Sequence, residues 1–157
     1  MHPYPLPDLD LLDSLRELVL RWRPDRVVSY ANRGCAKAFG LPLENLLGGR
    51  LPDVLPEHLR TCAGAHLNTV LERFRTSHRI HEGDWMVDTA DGRRHFAWRD
   101  LGVFDAAGDL VEVRSFGLDV TEYRSRGGDP RESVGRFHAL FQHHASVMLL
   151  IDPDSGR

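Results

Sequence analysis

Residues 21–57 read RWRPDRVVSYANRGCAKAFGLPLENLLGGRLPDVLPE, and the order of signals in them decides the fold. Leu18 to Arg23 is a strand-like run, Pro24-Asp25 supplies a tight turn, and Val27 to Ala31 is the hairpin partner. Asn32 stands where a helix begins, its side-chain oxygen placed to accept from free first-turn amides. That short helix carries Ala36 and Phe39, and Gly40 ends it, as a residue without Cβ can. Leu43 to Leu47 is a further helical turn, stopped by Gly48-Gly49.

Pro56-Glu57 opens the longest predicted helix, running to about Thr76. At 100° per residue, Leu59, Ala63, Leu67, Val70 and Phe74 form one narrow apolar stripe. Arg60, Thr61, Asn68, Glu72, Arg73 and Arg75 fall largely elsewhere, so one face meets the core and the other meets water. From Arg79 the period drops to two. Ile80, Trp85, Val87, Phe96, Trp98, Val103, Phe104, Val111, Val113 and Phe116 lie in three β-type runs. Asp91-Gly92 separates the first two runs and Asp105 to Gly108 the last two. The expected fold is α+β: a five-stranded antiparallel sheet, with helices inserted between strands two and three and packed on one face.

The chain then closes WRDLGVFDAAGDLVEVRSFGLDVTEY, residues 98–123. With the Asn-led helix, the Gly-Gly turn before Arg50, the terminal meander and Asp119-Val120-Thr121-Glu122, it resembles a PAS domain, a sensory module of bacterial signalling proteins. The resemblance covers residues 22–123, a span that suits one compact domain. It implies a detector that feeds an output domain and carries no enzymatic activity of its own.

Bulk properties agree with a globular chain and exclude several classes. Apolar content is 41% and charged content 27%, both within the globular range. A net charge of −3 with interspersed signs gives no footprint for nucleic acid. Cys35 and Cys62 are too few for a disulfide framework and suit a reducing cytoplasm. No apolar run approaches the roughly 18 residues of a membrane span, and the acidic, Pro-rich start is no signal peptide. The expected setting is cytoplasmic.

Four segments are expected: residues 1–16 a flanking helix with Leu9, Leu11, Leu12 and Leu15; 17–123 the PAS domain; 124–133 a linker; and 134–157 the truncated start of a second PAS module. The last rests on an echo. Shifted by 129 residues, Pro153-Asp154 falls on Pro24-Asp25 and Leu140-Phe141 on Leu11-Leu12. The chain therefore reads as the N-terminal part of a tandem-sensor protein. Stripes on the flanking helix and around Phe137, Leu140 and Phe141 predict a homodimer.

Nothing resembles a nucleophile elbow, a phosphate-cradling loop or paired catalytic carboxylates. His58, Cys62 and His66 recur every four residues along the long helix, a spacing that invites a metal. Their angles from the stripe, roughly 140°, 100° and 60°, walk the row out to solvent. No metal ligands are assigned. His78 and His81 begin a strand on opposite faces, and His143-His144 follows a helix; both pairs read as surface residues.

In haem-binding PAS domains a histidine on the long helix is the axial ligand. His66 lies at the stripe's edge, and its surroundings do not match that class. Flavin-type members use a cysteine in a short motif before this helix; the matching stretch here, GGRLPDVLPE, has none. Neither cofactor is expected. A small-molecule pocket between helix and sheet is expected to draw on Phe39, Leu46, His66, Val70 and Phe74, faced by Trp85, Phe96, Trp98 and Phe104. The same aromatics could instead fill a closed core. The resemblance also implies a signal-exit motif, Asp119 and Thr121, where Asp119 caps the outgoing helix or pairs with an Arg. The output domain is expected to be a sensor histidine kinase, with a diguanylate cyclase or phosphodiesterase second. The alternative is a ligandless dimerisation module.

Overall fold

The computed structural model describes residues 17–76, 78–89 and 92–122. The expectations for the flanking helix, for Asp91, for His143-His144 and for residues 124–157 lie outside them. Five strands, β1 (Leu18–Trp22), β2 (Val28–Ala31), β3 (Ile80–Thr89), β4 (Gly92–Phe104) and β5 (Leu110–Asp119), form one antiparallel sheet in the order β2-β1-β5-β4-β3. Between β2 and β3 come α1 (Arg33–Phe39), α2 (Leu43–Leu46), α3 (Leu51–Val54) and α4 (Glu57–Arg75). The α+β fold with helices inserted after the second strand is the one the sequence predicts. The single helical turn α3 is additional; Pro52 sits in its first turn, where a missing N–H costs no helical hydrogen bond.

Local signals do double duty. Asn32 caps α1 by accepting from the Cys35 amide at 3.2 Å, and also accepts from the Val19 amide at 3.0 Å. Its own amide donates to the Glu17 carbonyl at 2.8 Å, so one fully buried side chain fixes α1 to β1. Gly48 takes φ 74°, and a Cβ on Gly49 would lie 2.4 Å from Val54 Cγ1. The Gly-Gly pair thus needs one residue for left-handed backbone and the other for close approach.

The core lies between α4 and one face of the sheet. All five stripe residues of α4 are buried, together with Leu20, Trp22, Trp85, Phe96, Trp98 and Val113. Period-two alternation sends Phe96, Trp98 and Asp100 of β4 to this inner face, in register with Trp85, Gly83 and His81 of β3. On the opposite face Arg21 forms a two-pronged pair with Glu112 at 2.9 Å.

Candidate functional site

A row of polar side chains crosses the inner face. His81 on β3 pairs in register with Asp100 on β4, and Asp100 with Ser115 on β5. Asp100 is fully buried. Its carboxylate accepts from the Ser115 hydroxyl through one oxygen and meets His66 Nε2 of α4 at 2.8 Å through the other. The Trp22 indole N–H donates to Ser115 Oγ at 2.9 Å. The chain Trp22–Ser115–Asp100–His66 therefore runs from β1 to α4 through groups whose hydrogen bonds are made inside the protein.

Aromatic rings surround this row. His66 lies 5.3 Å from Trp85 edge-on and 5.4 Å from His81, ring centre to ring centre. Trp85 and Trp98 are 4.8 Å apart, and Phe39 stacks against both at 6.5 Å. Gly117 on β5 makes room for Trp98; a Cβ there would be 2.9 Å from the ring. Trp22, Phe39, Trp85 and Trp98 wall an apolar cavity of about 10 Å³, which His66 and Ser115 also line. That is room for about one water. Leu20, Leu51, Leu55, Ala63 and Leu67 complete the lining.

Among the described residues, nothing accepts from the buried indole N–H groups of Trp85 and Trp98, and His81 Nδ1 is likewise buried without a partner. A buried polar atom without a partner costs about 1–3 kcal/mol, so three in one place is unusual for a plain core. Burial pushes the His81 imidazole below its ordinary pKa; Asp100 opposes this, while His66 and Arg73 add to it. Burial also raises the Cys62 thiol, with Asp84 adding to the effect.

Of the sequence-predicted pocket residues, Phe39, His66, Trp85 and Trp98 line the cavity. Leu46, Val70, Phe74 and Phe96 are buried but do not line it, and Phe104 packs on Phe74 at 6.3 Å. Along the helical row, His58 is exposed, Cys62 half-buried and His66 turned inward, so the three do not converge. His81 departs from its expected surface position: it is 8% exposed, because its strand phase matches Trp85 rather than the outward residues. His78 is exposed. Sequence reasoning passed over Asp100, Ser115 and Trp22. Asp100 shares the two-residue phase of Phe96 and Trp98, and that phase was the signal available.

At the end of β5, Asp119 Oδ1 accepts from the Thr121 amide at 3.0 Å and from the Thr121 hydroxyl, while Oδ2 accepts from Arg94 at 3.2 Å. Thr121 Oγ1 accepts from the His95 amide at 2.8 Å, and the Val120 amide donates to the His95 carbonyl at 2.8 Å. Asp119 and Thr121 thus tie the chain leaving β5 to β4.

The family model for the PAS fold matches residues 12–125. Among solved structures, the PAS domain of Bordetella pertussis BvgS is similar, with 18% identity, a TM-score of 0.58, and coverage of 85% of this chain and 93% of that one. Vibrio cholerae VqmA, described as a dimer, gives 19% identity and a TM-score of 0.63 over 76% of this chain, which spans 54% of VqmA. The Cronobacter turicensis RpfR PAS domain in complex with C12:0 gives 18% and 0.54, covering 69% of this chain and 97% of that domain. No curated protein matches the sequence.

Proposed function

Because this chain belongs to the PAS family, we propose that its domain senses a small molecule between α4 and the sheet and passes the state of the sheet onward through Asp119 and Thr121. The observation that carries this reading is the aromatic cavity walled by Phe39, Trp85 and Trp98, beside which the buried indole N–H groups of Trp85 and Trp98 have no acceptor among the described residues. Donors of that kind call for a ligand with acceptor oxygens or ring nitrogens, and the stacked rings call for a planar or apolar body. Ligand binding has precedent on this fold, since VqmA is bound to DPO in one structure and the RpfR domain to C12:0 in another. The likeness to them is one of fold, so the ligand class is argued from this chain's own lining.

The output is proposed to be a cytoplasmic sensor histidine kinase, with a cyclic-dinucleotide enzyme second, in a homodimer. Among the described residues no helix is long and apolar enough to cross a membrane. Haem and flavin are not part of the proposal. The His66 ring is enclosed by Trp85, Trp98 and His81, and the cavity has no room for a porphyrin. A second reading, a ligandless module relaying through dimer contacts, is favoured by the same small volume, since a metabolite must push α4 outward to enter.

A thermal-shift screen with planar, acceptor-bearing fragments separates the two. At least one fragment should raise the melting temperature of the wild type and not of Ala63→Leu, which fills the cavity. No hit, together with unchanged output from full-length Ala63→Leu, would favour the ligandless reading.

A further inference from the structure

We propose that His66, His81 and Asp100 form a binding site for one divalent transition-metal ion of the zinc type, completed by water. One ligand atom from each of the three lies within 4.8 Å of the others. Ligands of a tetrahedral zinc ion sit about 3.3 Å apart, so small side-chain rotations bring the set to bonding distance. Two imidazoles and one carboxylate are the donor set of open zinc sites with a free fourth position.

Three further features point the same way. His81 Nδ1 is buried with no partner among the described residues, a lone pair or proton that the fold leaves unused. Asp100 is held by Ser115, and Ser115 by Trp22, the kind of outer hydrogen bonding that orients a ligating carboxylate. Gly83 brings the β3 backbone close to both imidazoles: a Cβ there would lie 3.3 Å from His81 Nε2 and 3.4 Å from His66 Nδ1. This set is distinct from the helical row His58, Cys62 and His66, of which only His66 takes part. It requires no organic ligand.

The test is calorimetric titration of ZnCl₂ and CoCl₂ into the chelator-treated chain of residues 1–157. Zinc should bind at one equivalent, and cobalt should give the visible d–d bands of a four- or five-coordinate site, while Mg²⁺ gives no heat. His81→Gln and Asp100→Asn should each weaken zinc tenfold or more, and His58→Gln and Cys62→Ser should not. Where a ligand variant fails to fold, the wild type decides by ¹⁵N spectra of its imidazoles. The ring nitrogens of His66 and His81 should shift together as one equivalent of zinc is added. No zinc binding at about 0.1 mM, binding that survives both ligand variants, or shifts confined to other histidines would overturn the proposal. Zinc binding with no fragment hit would keep this site and remove the organic-ligand reading.

Discussion

Removing either His66 or Asp100 should destabilise the domain, and the two effects should be coupled. His66→Ala strands the fully buried Asp100 carboxylate with Ser115 as its one remaining described donor. Leaving a buried acceptor short of a donor typically costs about 1–3 kcal/mol, and more when the acceptor is charged. Asp100→Ala takes the carboxylate away together with its hydrogen bonds; it leaves the Ser115 hydroxyl and His66 Nε2 without an acceptor, at about 1–3 kcal/mol each. In His66→Ala/Asp100→Ala neither the stranded charge nor the stranded ring remains, so the double variant should be more stable than the sum of the singles requires. The coupling should be about 1–3 kcal/mol. Urea unfolding followed by fluorescence of the buried tryptophans gives all four free energies. Against a total of about 5–15 kcal/mol, the variants should stay folded in buffer or nearly so. A cost below about 1 kcal/mol for His66→Ala, or additivity within about 0.5 kcal/mol, would mean that the row is not held as described.

Asp119→Ala removes acceptors from Thr121 and Arg94 and should lower stability by about 1–2 kcal/mol, leaving a folded domain. Hydrogen exchange should rise from Val120 onward, and output of the full-length protein should change; unaltered protection and signalling would contradict the exit role. Cys35 is buried, donates to the Val19 carbonyl, and burial pushes its thiol up to about 12. It should therefore resist maleimide at pH 8 until the domain unfolds. The sign of the linkage is fixed: the unfolded thiol loses its proton near pH 9 while the folded one keeps it, so stability is whole below pH 9 and falls above it. Cys35→Ala should remove that alkaline slope. The purified chain should be colourless after expression with added haem or flavin, and a stoichiometric Soret or flavin band would return His66 to the role of axial ligand.

Much of the fold was legible because its signals are local. Asn32, Gly40 and the α4 stripe each report on their own turn of chain, and period-two runs set the three long strands. The site was legible only where it is aromatic. Phe39, Trp85 and Trp98 announce burial by their size, whereas Asp100 and Ser115 look like solvent-facing strand residues until the register of β4 with β5 puts them opposite each other. His81 misleads for the same reason: a histidine near a strand's start reads as surface, and only pairing with Asp100 and the approach of α4 bury it. Such groupings depend on three strands and a helix far apart in sequence, and no window of adjacent residues contains them.

The central claim, that the interior beside α4 is a sensing site, is tested most directly by the three tryptophan indole resonances in a ¹H–¹⁵N spectrum. Trp22 should appear as a hydrogen-bonded indole in the free protein, since it donates to Ser115, and Trp85 and Trp98 as unbonded ones. On titration with the planar, acceptor-bearing fragments, the Trp85 and Trp98 signals should move downfield as their donors find acceptors, with Trp22 moving less. If all three stay in place across the fragment set while the domain is folded, the two indoles are core residues and the sensing site is not where this account puts it.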